Sequence, residues 1–142
     1  MHLLVVDDDP SILAIMESFI QFSTDYTAET ASSVRDAIDL LARPEAKKFD
    51  CFLLDIQMPT TDGIEFCKYL RNRSDYKRSL ILMLTAMSEK PYLDRAFAAG
   101  ADDYITKPFN FGDLRERLGL QSGHFGVREK HSDFPTGNAL GA

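Results

Sequence analysis

Apolar residues fall along the chain in two rhythms. Unbroken runs occur at Leu3-Leu4-Val5-Val6, at Phe52-Leu53-Leu54 and at Leu80-Ile81-Leu82-Met83-Leu84, with weaker ones from Asp25 to Ala31 and from Asp102 to Ile105. Between these runs, apolar positions return every three or four residues. Short apolar runs bounded by turn signals read as buried strands, and the longer spacing reads as amphipathic helix. The pattern predicts strands at 3–6, 25–31, 50–54, 80–84 and 102–105, each followed by a helix. The first helix takes Asp9 as its cap and Pro10 at its first position, where a missing N–H costs nothing, and buries Ile12, Leu13, Met16, Phe19 and Ile20. Ser32 or Ser33 caps the second, whose stripe is Val34, Ala37, Ile38 and Leu41. The third carries Ile64, Cys67 and Leu70, and ends among Arg71 to Lys77. The fourth spans about Glu89 to Ala99, presents Leu93, Ala96 and Phe97, and stops at Gly100. The fifth begins near Asn110 with Phe111, Leu114 and Leu118 on one side, and Gly119 is expected to interrupt it early.

Five alternations of strand and helix predict an α/β three-layer sandwich. Parallel strands need crossover connections, and right-handed crossovers put helices on both faces of the sheet. The uniformly apolar run at 80–84 suits a strand covered on both sides. The weaker run at 25–31 suits an edge. After Leu118 the composition changes: five of the eight glycines and two of the three histidines lie in 119–142, and Phe125, Val127, Phe134 and Leu140 have no clear period. The chain is therefore read as one domain over 1–118 followed by a tail or linker, in part disordered or ordered by a partner, over 119–142.

A length of 142 residues fits one domain with one core, and a hydrophobic fraction of 44% is ordinary for a globular protein. No apolar stretch approaches the roughly 18 residues of a membrane span, and the N-terminus enters a strand pattern without a cleavable signal, so a cytoplasmic location is expected. The net charge of −6 argues against nonspecific nucleic-acid binding, which needs a basic patch. Cys51 lies in a strand and Cys67 on an apolar helix stripe, so buried free thiols are expected rather than a disulfide or metal site.

Candidate chemistry gathers where strands stop. Asp55 ends the third strand, Asp7-Asp8-Asp9 follow the first, Thr85 follows the fourth and Lys107-Pro108 follow the fifth. In an open α/β sheet the C-terminal edge is where ligands bind, and the first and third strands are neighbours in a doubly wound sheet. Asp7, Asp8 and Asp55 then converge. Two unit charges about 4 Å apart repel by roughly 4 kcal/mol at an effective dielectric of 20, so the cluster calls for a cation. Hard oxygen ligands suit Mg²⁺ or Mn²⁺, which would orient a phosphoryl group and neutralise its oxygens. Asp55 is then a carboxylate nucleophile that accepts phosphate, with the Lys107 ammonium and the Thr85 hydroxyl holding phosphoryl oxygens. Pro108 disfavours helix at Lys107 and allows a cis bond, which would fix the lysine's aim.

Taken together, Leu4-Val5-Val6-Asp7-Asp8-Asp9-Pro10, Leu54-Asp55-Ile56-Gln57-Met58-Pro59 with Asp62-Gly63, Leu84-Thr85-Ala86 and Gly100-Ala101-Asp102-Asp103-Tyr104-Ile105-Thr106-Lys107-Pro108-Phe109 resemble the receiver domain of bacterial two-component response regulators over residues 2–118. The resemblance implies a flavodoxin-like (βα)5 fold with strand order 2-1-3-4-5. It implies phosphoryl transfer to Asp55 from a histidine kinase or a histidine phosphotransfer protein. Asp8, Asp55 and the backbone carbonyl of Gln57 would bind Mg²⁺, with Asp7 acting through water. Thr85 and Tyr104 would switch the face made by the fourth helix, fifth strand and fifth helix, and Gln57 and Met87 would tune phosphoryl lifetime. Such a chain is a self-phosphorylating and self-dephosphorylating signalling domain rather than a turnover enzyme. It would be a monomer or a phosphorylation-dependent homodimer that passes its signal to an unidentified downstream protein or output domain. The short fifth helix puts the usual dimer face in doubt.

Two other classes compete. A pseudo-receiver would bind a protein partner without phosphorylation, but usually lacks an acid or the lysine that this chain keeps. An aspartyl-nucleophile phosphohydrolase would carry a second Asp two residues after the nucleophile, where this chain has Gln57. A flavin-binding flavodoxin is disfavoured because Asp7-Asp8-Asp9 would repel a phosphate in the first loop.

Overall fold

The computed structural model describes residues 1–45, 47–56, 58, 62–86 and 91–123, the last four of these as backbone. Strands and helices alternate strictly: β1 His2–Val6, α1 Pro10–Gln21, β2 Thr27–Ala31, α2 Val34–Leu41, β3 Cys51–Asp55, α3 Gly63–Arg71, β4 Leu80–Ala86, α4 Leu93–Ala99, β5 Asp103–Lys107 and α5 Phe111–Gly123. The strands form one sheet in the order β2-β1-β3-β4-β5, and every adjacent pair is parallel. This is the doubly wound, flavodoxin-like arrangement expected from the sequence.

The period-two alternation of each strand divides the core between the two faces of the sheet. Leu4, Val6, Phe52, Leu54, Ile81 and Met83 meet Val34, Ala37, Phe66, Leu70 and Ala96 from α2, α3 and α4. On the other face Leu3, Val5, Leu53, Leu82, Leu84 and Ile105 meet Ile12, Met16, Phe19, Leu114 and Leu118 from α1 and α5. β1, β3 and most of β4 are buried on both faces, so their runs carry no polar alternation. β2 and β5 are the edge strands, and only Ala31 in β2 is buried.

The helix starts follow from side-chain caps. Asp9 accepts from the Ser11 N–H at 2.9 Å and from its hydroxyl at 2.8 Å, and these bonds hold the Asp9 carboxyl below the usual carboxylate range. Ser33, not Ser32, caps α2 by accepting from the Asp36 N–H at 3.0 Å. Asp62 caps α3 by accepting from the Glu65 N–H at 2.9 Å. Asn110 and Asp113 cap α5 reciprocally, each side chain accepting the other's backbone N–H.

Three expectations change. The fifth helix is not cut at Gly119 but runs through it to Gly123. An interior glycine costs only about 1 kcal/mol relative to alanine, and the complete burial of Leu114 and Leu118 holds the turn beside it. The short helix that put the dimer face in doubt is therefore absent. The fourth helix begins at Leu93, and Phe97, expected to pack inward, is 37% exposed with its ring edge-to-face on Tyr104. The fifth strand lies at 103–107 rather than 102–105, because Asp102 is committed to a different task. Its Oδ2 accepts from the Ile81 N–H and from Arg71 Nη2, both at 2.9 Å. Both cysteines are buried thiols outside any disulfide, and burial pushes the Cys51 thiol far up.

Candidate phosphoacceptor site

The order of the sheet reverses between β1 and β3, and that reversal opens a crevice at their C-terminal ends. Val6 pairs with Leu54, so Asp7 and Asp55 both stand one residue past the last registered pair. One oxygen each from Asp7, Asp8 and Asp55 lies within 4.8 Å of the other two. Asp7 is fully buried, Asp55 is 4% exposed, and Asp8 opens to solvent.

Lys107 reaches this cluster from the last residue of β5, two strands from β3. Its Nζ lies 2.8 Å from Asp7 Oδ2 and donates to Asp55 Oδ1 at 3.1 Å. Burial works against the ammonium, but the contacts with Asp7 and Asp55 outweigh it and hold its pKa above the ordinary value. The Lys107–Pro108 peptide bond is cis. Asp7 Oδ1 accepts from the Asp9 N–H at 2.9 Å. The buried Asp7 Oδ2 is held by its ion pair with Lys107.

With all three carboxylates ionised and Lys107 protonated, the cluster carries −2. Asp55 answers to that imbalance. Burial is the largest cause, the neighbouring Asp7 charge adds to it, Lys107 opposes it, and the Asp55 carboxyl is pushed up to about 7. A divalent cation would bring that sum to zero and add a second positive neighbour to Asp7 beside Lys107. Oxygen donors at this spacing fit such an ion, and the donor set contains no sulfur or imidazole that would favour a softer metal. Asp7, Asp8 and Asp55 are the side chains that would hold it.

Thr85 is fully buried near the end of β4, one residue past Leu84, the β4 residue in register with Asp55. It therefore lies on the same edge of the sheet, and its hydroxyl donates to the Ala86 carbonyl at 3.1 Å. Tyr104 lies on β5 and is half-buried; Phe97 meets its ring edge-to-face at 6.4 Å and Arg117 lies over it at 5.5 Å. Arg117 also binds Asp103 at 2.7 Å, tying α5 to β5. Gln57 and Met87 lie outside the described residues.

Gly63 is a part of the site that the sequence pattern undervalued. It reads as a turn residue beside Asp62, yet it is the first residue of α3 and its N–H donates to the Ile56 carbonyl at 2.8 Å. A Cβ at this position would overlap the Asp55 carbonyl oxygen. The absence of that one atom lets α3 close against the strand end that carries Asp55.

Three comparisons bear on this arrangement. The family model for the response regulator receiver domain matches residues 3–119. The response regulator MprA of Mycolicibacterium vanbaalenii is 37% identical over 117 residues, 82% of this chain and 48% of its own length. The heme response regulator HssR of Staphylococcus aureus is 36% identical over 135 residues, 95% of this chain and 57% of its own. The chain thus spans about half the length of these curated relatives. Among solved structures, the chemotaxis response regulator CheY4 of Vibrio cholerae superposes with a TM-score of 0.75 at 34% identity, over 84% of this chain and 96% of that one.

Proposed function

This chain belongs to the response regulator receiver domain family, and from that premise we propose that it receives a phosphoryl group on Asp55 from the phosphohistidine of a histidine kinase or histidine phosphotransfer protein. The observation that carries the reading is the cluster of three carboxylates at the sheet's switch point, with Lys107 bridging Asp7 and Asp55. An oxygen of Asp55 attacks phosphorus, the P–N bond to the donor imidazole breaks, and the electron pair leaves on that nitrogen. The product on this chain is an acyl phosphate. Asp8 and Asp55, with the Gln57 carbonyl and with Asp7 through water, would hold Mg²⁺, which would neutralise charge on the phosphoryl oxygens. Lys107 is within reach of an oxygen on Asp55 and gives up part of its contact there to bind the phosphoryl group.

The readout lies one strand away. Thr85 exchanges its bond to the Ala86 carbonyl for one to the new phosphoryl oxygen. The movement frees space that the half-buried Tyr104 ring occupies, and the surface formed by α4, β5 and α5 changes shape. Phe97, Tyr104 and Arg117, the last anchored by the buried Asp103, lie on that surface and are proposed to meet the downstream protein, output domain or second copy. Gln57 and Met87 are proposed to set the lifetime of the adduct. Phosphoryl transfer here is a signalling event that ends in self-hydrolysis. Among the described residues no helix is long and apolar enough to cross a membrane.

Beryllofluoride with Mg²⁺, followed by amide NMR, tests this reading. The wild type is expected to shift around Asp7, Asp55, Thr85 and Lys107 and on the α4–β5–α5 face, and Asp55→Asn to shift at neither. Equal shifts in both proteins, or none in the wild type, would contradict it.

A further inference from the structure

The chain is acidic, yet half of its cations sit in two short segments. Residues 43–50 hold three lysines and arginines and residues 68–79 hold five, eight of the sixteen in the chain, against three carboxylates. The loops within these segments enclose a cleft of about 350 Å³ at the N-terminal edge of the sheet. This is the far end from the carboxylate cluster. Asp50 precedes β3 and Asp55 ends it, a separation of about 16 Å along a strand.

The acids in the cleft wall are already engaged. Arg73 grips both oxygens of Asp75, at 2.9 and 2.7 Å, and holds that carboxyl below its usual range. Asp50 accepts the His2 N–H at 2.8 Å. Lys48, Lys77 and Arg78 also line the cleft, are exposed, and have no carboxylate within ion-pair distance among the described residues. The ring of Tyr76 does not offer a stacking surface. It is 6% exposed, packs edge-to-face on Phe52 at 5.2 Å, and has Lys48 and Arg73 over it at 5.6 Å each.

We infer that this cleft is a binding site for a compact polyanion carrying two or more neighbouring phosphate groups. Three cations with no carboxylate in ion-pair distance among the described residues line one concavity, and Arg78 offers a planar fork suited to phosphate oxygens. The covered tyrosine leaves a nucleobase nothing to stack on, so the phosphate chain itself is what the site recognises. The carboxylate cluster at the other end of the sheet repels the same ligand.

Amide NMR of the metal-free chain, titrated with tripolyphosphate at about 0.15 M salt, tests the inference, because screening at that strength removes diffuse attraction beyond roughly 8 Å. Saturable shifts are expected at 48–50 and 74–79, with half-saturation below about 1 mM. ATP should bind as tightly as tripolyphosphate, and inorganic phosphate about tenfold or more weakly. The double variant Lys77→Ala/Arg78→Ala should lose affinity about tenfold or more while its circular dichroism and thermal midpoint stay unchanged. Shifts that do not saturate, shifts centred instead on Asp7 and Asp55, or full affinity in the double variant would overturn it. So would inorganic phosphate matching tripolyphosphate, or ATP binding markedly tighter than either.

Discussion

Asp55 should weaken the fold that carries it. Its carboxyl is 4% exposed and pushed from 3.8 up to about 7, chiefly by burial and then by Asp7. The folded protein therefore holds a proton on Asp55 over a pH range in which the unfolded chain has released it. With the folded pKa above the unfolded one, stability falls as pH rises from about 4 to about 7, and the full penalty is present above that. A shift of roughly three units at 1.36 kcal/mol per unit sets a ceiling of about 4 kcal/mol. Lys107 loses one of its two acidic contacts in Asp55→Asn but keeps Asp7 at 2.8 Å, so a gain of about 1–3 kcal/mol is expected for the variant at pH 8. Urea titrations of both proteins in EDTA, at pH 8 and pH 4.5, measure it. The variant should unfold at higher urea at pH 8, and the gap should shrink toward pH 4.5. Added Mg²⁺ should stabilise the wild type more than the variant, because binding to the folded state alone raises its stability. A variant no more stable than wild type at pH 8 in EDTA, or a gap that does not depend on pH, would refute the reasoning.

Other consequences follow from single contacts. Gly63→Ala should destabilise by about 2–4 kcal/mol in chemical denaturation, against the slight gain that alanine gives in an ordinary helix, because its Cβ must displace the Asp55 carbonyl. Arg71→Ala should cost about 2–4 kcal/mol. It removes donors to the carbonyls of Gly100, Lys77 and Ser79 and leaves the mostly buried Asp102 without its guanidinium, and a loss below about 1 kcal/mol would argue that these bonds are replaced by water. Gly119→Ala should stabilise by about 0.5–1 kcal/mol, since the position is inside α5 and a Cβ there meets nothing within 4 Å; a loss of stability would show that the helix does not continue through it.

The strands, their parallel direction and four of the five helices are legible because burial on both faces of the sheet leaves continuous apolar runs, and because the caps Asp9 and Ser33 are local signals; the strand order is legible only through the family resemblance. The acid–lysine constellation was legible for a topological reason. Residues that directly follow strands must share one edge of a parallel sheet, so Asp7, Asp55 and Lys107 had to meet. What the pattern did not yield depends on contacts between distant segments. Gly63 reads as a turn because its closeness to the Asp55 carbonyl exists only after α3 docks. Asp102 reads as a strand residue in the sequence, because the Arg71 contact that claims its side chain joins distant segments. Gly119 reads as a helix break because propensity is local, whereas the packing of Leu114 and Leu118 that overrides it is not. Phe97 fits an inward stripe by spacing, yet it faces Tyr104 at the surface, a position that suits a recognition face better than a core.

The account rests on one covalent event. Incubation with acetyl phosphate and Mg²⁺, followed by intact mass spectrometry and peptide mapping, tests it most directly. The wild type should gain the mass of one phosphoryl group, mapped to Asp55, and should lose it on standing and when EDTA replaces Mg²⁺ during the incubation. Asp55→Asn should gain nothing. No mass gain in the wild type, or an adduct mapped to another side chain, would contradict the claim that Asp55 is the phosphoacceptor.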